Sequence, residues 1–297
     1  MSRFALGALL ALATTAAFGG QAQAMVDDKD IAKVVSFGGS CAKCELSGRR
    51  LVGATFMGAN FVQARFIGAD LRGAVFQASN LSGADLSKAD LRGAEMIGAI
   101  FVGANFNNAL LDGVEGSASK FTGANLTRAR ATGAEFPGAD FSGAVLLNAN
   151  FSGVDMPAAN LSGIDARSAS FANADLTRAR LSGGRFQGVS FRDADLSAAD
   201  LSGGQFAGAN FNDADLSGAW LGGADLASAR GLDQDQLDDA CGDAATRLPQ
   251  GLTVKFCKPR GERRVIIVSG ARAPKPPAAP KPPKPPAAPR YIVINEK

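Results

Sequence analysis

Four cysteines and two close pairs of carboxylates are the residues of this chain whose types and spacing could do chemistry. Cys41-Ala42-Lys43-Cys44 has the spacing of a dithiol redox motif, and Cys241 and Cys257 follow much later. Such a motif normally opens a helix beside a βαβ pattern, and no such pattern accompanies it here. Asp193 and Asp195 recur twenty residues on as Asp213 and Asp215, a cluster of hard oxygen ligands of the kind calcium takes. The chain has no His. Without an imidazole, Ser/His/Asp hydrolases, Cys/His proteases and most zinc enzymes are excluded. Paired carboxylates could serve as glycosidase acids, but only in a cleft that holds substrate. No insertion that could form one interrupts the middle of the chain. The chain is read as non-catalytic, with no cofactor.

The elements that must position these residues are announced by a period of five. Every residue from 46 to 226 whose number ends in 1 or 6 belongs to one register of 37 positions, with 17 Leu, 15 Phe, 2 Met, 2 Ala and one Gly. The residue two before is Ala 27 times, and the residue just before is most often Asp or Asn. A helix needs a period near 3.6 and a strand a period near 2, so five fits neither. One large and one small apolar residue in every five can both face inward if the chain turns a corner every five residues. Four sides then close a coil of 20 residues, and stacked coils lie about 4.8 Å apart. A 20-residue superperiod is visible in the letters: glycine at 83, 103, 123, 143, 163, 183, 203 and 223, Phe151, Phe171, Phe191 and Phe211, and Leu161, Leu181, Leu201 and Leu221.

Ala84-Asp85-Leu86-Ser87-Lys88, Ala124-Asn125-Leu126-Thr127-Arg128 and Ala214-Asp215-Leu216-Ser217-Gly218 resemble the pentapeptide-repeat family, whose pattern is A-(D/N)-L-x-x. The resemblance implies an all-β solenoid: a right-handed quadrilateral parallel β-helix of about nine coils, roughly 43 Å long at the ladder spacing. Its bounds are 44–228. Gly116 stands where Leu or Phe belongs, and Ala131 and Ala166 are undersized. Either a cavity or distortion lies near 114–119, or Phe121 and Phe136 fill the space.

The flanks read differently. Residues 1–24 carry a signal-peptide pattern: Arg3, the apolar stretch Phe4 to Phe18, and Ala22-Gln23-Ala24 before a cleavage point. The expected location is exported, periplasmic or extracellular, with no transmembrane segment after cleavage; a start at Met25 would place the protein in the cytoplasm. Residues 25–43 form an N-terminal cap with a short amphipathic helix over Asp30 to Ser36. Residues 229–257 form a C-terminal cap, with Asp233 as helix N-cap, Gln236 three residues on, Leu237 and Ala240 on the apolar face and Gly242 as a stop. Both segments resemble caps of exported family members. Trp220 is expected to pack under the C-terminal cap. Residues 258–297 are a disordered tail, with nine prolines between Pro274 and Pro289 and β-prone runs at Val265 to Val268 and Tyr291 to Ile294. Four cysteines allow three pairings. In an oxidising compartment they are paired as Cys41–Cys44 and Cys241–Cys257, with Cys44 in an inward small-residue place of the first repeat.

Charge is segregated. Residues 44–228 hold 14 basic and 18 acidic residues, net −4, and residues 258–297 hold 10 basic and 2 acidic, net +8. One outward column is acidic throughout: Glu95, Glu115, Glu135, Asp155, Asp175, Asp195 and Asp215. It is a candidate ridge for a basic partner or, where Asp is the residue the turn prefers, a solvated face. The expected function is an exported structural or protein-interaction scaffold. Its partner is another protein, or an anionic cell-envelope polymer bound by the basic tail, and not nucleic acid. Two alternatives come with the resemblance and the carboxylates. Quinolone-resistance members of the family mimic DNA and occupy gyrase, a reading that would require a protein that is not exported. The other is a calcium-binding surface protein, with Asp193, Asp195, Asp213 and Asp215 as ligands.

Overall fold

An Ala and a large apolar residue two positions apart both face inward only if the backbone turns between successive pairs, and the computed structural model shows how it does so. It describes residues 38–257, which lie in the first of two units, Met1–Lys258 and Pro259–Lys297. The expected signal peptide, the Asp30–Ser36 helix and the tail lie outside the described residues. At a typical corner the amide of Ala84 donates to the carbonyl of Leu81 at 3.0 Å, and Gly83 has φ +65°. A type II turn demands such a positive φ at its third residue, which glycine adopts without a Cβ clash. Lys88, Arg128 and Asn148 nonetheless hold φ of 58°, 56° and 54° at equivalent corners, because hydrogen bonds on both sides over-determine the backbone.

Between corners, single residues bridge in parallel to the residue twenty later, from Ser40↔Asn60 through Asn210↔Arg230. Four ladders result, one per side of the coil. The regular pattern already includes Ser40, ahead of the expected start at 44. Phe151, Phe171, Phe191 and Phe211 stack with successive centroids 5.6, 5.8 and 5.1 Å apart. Leu161, Leu181, Leu201 and Leu221 are fully buried in a second column. Each such side chain contributes about 1.5–3 kcal/mol by leaving water.

Gly116 does not leave a hole. A Cβ there would come within 2.5 Å of the Phe136 ring, so Phe136 occupies the place of the missing side chain. The Ser119 hydroxyl, fully buried, donates to the Gly116 carbonyl at 2.5 Å. The ladder passes through undisturbed, with Glu115 bridged to Glu135.

The C-terminal side is closed by a short helix, α1 (Gln234–Leu237), and two parallel strands, β1 (Cys241–Gly242) and β2 (Lys255–Phe256). Asp233 caps α1 in a complete capping box with Gln236, which satisfies amides the first turn would leave orphaned. The helix ends at Leu237. Gly242, expected as its stop, lies instead in β1, where a Cβ would meet Val254 Cγ1 at 2.6 Å. The ladder step lengthens here, to Trp220↔Cys241 and Asp225↔Arg247. Trp220 is half-buried beside the cap strand, its indole lying across Gly222. Cys41 is bonded to Cys44 and Cys241 to Cys257.

Gln236 has a second duty. Its Nε2 donates to the carbonyls of Phe211 and Ala214 at 2.9 and 2.8 Å, standing in for the amides of a next coil. Gln236→Ala should therefore lower stability by about 1–2 kcal/mol. It should also speed hydrogen exchange in the last coil while leaving earlier coils unchanged. Unaltered exchange at residues 211–226 would refute that role.

Candidate interaction surface: the acidic column

The residue before each large core side chain points outward, so the four ladders carry four columns of surface side chains. One column runs Thr55, Val75, Glu95, Glu115, Glu135, Asp155, Asp175, Asp195, Asp215, each bridged to the next. All seven carboxylates singled out from the sequence lie in it, consecutively. Bridged segments lie about 4.8 Å apart, where two like charges repel by about 1 kcal/mol in water and more where water is displaced.

Most of the aspartates are held by their own turns. Asp175 Oδ1 accepts from the amide and hydroxyl of Thr177 at 2.8 and 2.5 Å. Asp195 and Asp215 accept from the amides of Ser197 and Ser217, each at 2.8 Å. Asp155 has no such donor, because the residue two on is Pro157, which lacks an N–H. Its Oδ1 is buried without a hydrogen-bond partner among the described residues. Burial, then the charges of Asp175 and Glu135, push its carboxyl above the ordinary carboxylate range. Burial pushes Asp195 the same way, but the hydroxyl and amide of Ser197 and the hydroxyl of Thr177 outweigh it and hold that carboxyl low.

A testable consequence follows from Asp155. Elsewhere an amide stacked on a carboxylate bridges adjacent coils: Asn105 donates to Asp85 and Asn160 to Asp140, both at 3.0 Å. Asp155→Asn should stabilise the protein by about 0.5–1 kcal/mol at neutral pH. Because the folded chain holds the Asp155 proton more tightly than the unfolded chain, native stability falls as pH rises from the ordinary value of 3.8 through the raised one. The gain from Asp155→Asn should therefore be present at pH 7 and shrink by pH 3. Denaturant midpoints at the two pH values check this, and equal gains at both would contradict it.

On other sides several acids are neutralised by arginines. Arg72 Nε lies 2.7 Å from Asp70, Arg92 Nη2 2.7 Å from Asp90, Arg130 Nη2 2.6 Å from Asp112 and Arg167 Nε 2.8 Å from Asp165. Hydrogen bonds from the arginines hold the carboxyls of Asp70, Asp90 and Asp165 below their ordinary range. Exposed pairs of this kind add little stability, but they cancel charge. The five-residue period does not disclose them; the Asp-x-Arg spacing at 70–72, 90–92 and 165–167 could have. Among the described residues none of the seven column carboxylates has such a cation.

The calcium quartet does not assemble. Asp193 and Asp213 take the left-handed corner place, with φ of 54° and 57°, while Asp195 and Asp215 sit in the ladder. Asp193 pairs with Arg192 at 3.3 Å, and Asp195 and Asp215 give an oxygen to their own turns. Among the described residues no three His, Cys, Asp or Glu side chains are grouped to hold a metal ion. Surface recesses among the described residues include two on other columns. One, of about 290 Å³, is bordered by Gln187, Gln205 and Asp225. The other, of about 510 Å³, is bordered by Arg92, Thr132 and the Asp112–Arg130 pair.

A family description of pentapeptide repeats matches the chain in eight copies, over 40–77, 74–113, 119–156, 158–193 and 190–226, more than half its length. The break at 114–118 contains Gly116. Among solved structures, the chain is similar to HetL, a pentapeptide repeat protein involved in heterocyst differentiation regulation from the cyanobacterium Nostoc sp. strain PCC 7120. The two are 27% identical over 64% of this chain and 88% of HetL, with a TM-score of 0.38. QnrB1, a plasmid-mediated fluoroquinolone resistance protein, is 23% identical over 69% of this chain and 93% of its own, with a TM-score of 0.28. Rfr23, a pentapeptide repeat protein from the cyanobacterium Cyanothece 51142, is 19% identical over 45% and 90%, with a TM-score of 0.32. At these TM-scores none of the three carries a function to this chain. A comparison with curated proteins finds no match. Eight matched repeats and a ladder that returns every twenty residues make this chain a member of the pentapeptide-repeat family, whose fold is a right-handed β-helical solenoid.

Proposed function

We propose that the protein is an exported, non-catalytic scaffold: about nine coils, closed by residues 229–257, whose acidic column docks a basic protein partner. The observation that carries this reading is the run of seven carboxylates in one ladder with no paired cation among the described residues. Holding like charges in register costs stability. Neighbouring columns avoid that cost with Asn105 and Asn125 or with arginine pairs. A partner presenting Lys or Arg along the column would relieve the repulsion and gain association rate and specificity. Residues 258–297, net +8, suit an anionic cell-envelope polymer. The signal-peptide pattern and the two disulfides support export, since cystines persist in oxidising compartments.

Cell fractionation with N-terminal sequencing tests export: mature protein beginning near Met25 in the periplasm is expected, and full-length protein in the cytoplasm would overturn it. Docking is tested with the triple variant Glu135→Gln, Asp155→Asn, Asp175→Asn. A partner bound by the native protein should be lost from the variant, and its binding should weaken steeply with salt. Undiminished binding to the variant would rule out the column.

A further inference from the structure

Cys41 and Cys44 occupy the two inward places of one corner, Cys41 where other sides carry Leu or Phe and Cys44 where they carry Ala. Their turn is closed by the amide of Cys44 donating to the carbonyl of Cys41 at 3.2 Å, with Lys43 at φ +60°. The next two corners make the same turn without sulfur. Arg49 donates to Leu46 at 3.2 Å with Gly48 at +68°, and Ala54 donates to Leu51 at 3.1 Å with Gly53 at +64°. The Cys41–Cys44 backbone is also tied to the next coil. Cys41 donates to Asn60 at 2.8 Å, Lys43 to Val62 at 2.9 Å, and Arg65 donates to the Cys44 carbonyl at 2.8 Å.

The corner therefore has no need of the disulfide. With the sulfurs joined its two Cα atoms stand 5.3 Å apart, within bonding range, and the turn and ladder hydrogen bonds that hold them do not run through sulfur. Both cysteines are half-buried, and Ala42 and Lys43 between them are exposed. Cys241–Cys257 stands in a different setting. It ties β1, which the ladder holds through Trp220, to the residue after β2, a strand of two residues paired with β1, so the bond adds a hold where the backbone pairing is short.

We propose that Cys41–Cys44 is a reversible thiol–disulfide exchange site, whose substrates are the dithiols or disulfides of other molecules. A thiolate of an incoming dithiol attacks one sulfur of the pair. The bond between the two cysteines breaks, and the other cysteine leaves as a thiolate and takes a proton from water. The second thiolate of the incoming molecule then attacks its own sulfur in the mixed disulfide. That step releases the remaining cysteine, which is protonated in turn. Two electrons and two protons pass to the cysteine pair, and the incoming dithiol becomes a disulfide; the reverse sequence oxidises the pair. The corner makes the couple reversible, because the reduced thiols stay where they re-form the bond.

The test equilibrates the full chain in graded mixtures of reduced and oxidised dithiothreitol, followed by alkylation and peptide mass analysis, with circular dichroism of each sample. Cys41–Cys44 should open and re-form fully with an unchanged spectrum, at a reduced-to-oxidised ratio on the order of tenfold below that needed for Cys241–Cys257. The variant Cys41→Ser/Cys44→Ser should melt within about 2 °C of the native protein, and Cys241→Ser/Cys257→Ser should melt more than about 5 °C lower. The proposal is overturned if Cys41–Cys44 opens only as the spectrum is lost, opens together with Cys241–Cys257, fails to re-form, or proves as costly to remove as the other bridge.

Discussion

Phe121→Ala should lower the unfolding free energy by about 3–5 kcal/mol, at the top of the range for a single truncation. The Phe121 ring is fully buried. It stacks on Phe101 at 4.9 Å and on Phe141 at 4.6 Å, the coils on either side, with interplanar angles of 15° and 6°. Phe106 and Phe136 reach it from adjacent sides at 5.5 and 5.6 Å. Removing the ring strips contacts from four others at once. The space cannot collapse, because the backbone on both sides is pinned: Phe121 donates to Asp140 at 2.6 Å, and Phe101 donates to Lys120 at 2.7 Å. Coils touch only their neighbours, so the damage should be local as well as large. Denaturant unfolding gives the total, and hydrogen exchange should show faster opening over residues 101–141 than in the coils near 201. A loss below about 1 kcal/mol would mean that the stack re-packs and that the ladder does not hold the coils apart.

Gly116→Phe should destabilise by about 3 kcal/mol, although it restores the residue type of the repeat. By pattern alone the change looks like a repair. In the structure, a Cβ at 116 would fall within 2.5 Å of two atoms of the Phe136 ring, and the buried Ser119 hydroxyl holds the Gly116 carbonyl beside it. Phe136 cannot withdraw without losing its edge contacts to Phe121 and Phe141, at 5.6 and 5.3 Å. The remedy is a second change. Phe136→Ala in the Gly116→Phe background should recover a large part of the loss, whereas Phe136→Ala alone should cost about 3–5 kcal/mol. A double-mutant cycle reads that coupling directly; additive losses would show that the two sites do not share one space.

The legibility of the fold differs from element to element, for physical reasons. Leu161, Leu181, Leu201 and Leu221 could be stacked from their spacing alone, because a period of exactly one coil length maps distance along the chain onto distance along the axis. The seven carboxylates from Glu95 to Asp215 were placed in one column by the same rule. The cap was readable where its signals are local: Asp233 and Gln236 make the capping box within four residues. It was not readable where partners come from far along the chain. Gly242 looks like a helix stop in sequence, but its neighbour Val254 puts it in a strand pair. The fate of the place at Gly116 was undecided for the same reason, since it depends on which way the Phe136 ring turns.

The amino-acid sequence by itself determined the coil: the side length, the four columns and which residue types face in or out. Only the tertiary structure decided how individual surface groups are satisfied, because a side chain's partners sit one coil away and depend on rotamer and on turn donors. That is why Asp70, Asp90 and Asp165 prove to be neutralised by arginines, why the four aspartates from 193 to 215 do not converge, and why Asp155, deprived of an amide by Pro157, stands in the middle of the acidic column with an oxygen that none of the described residues satisfies.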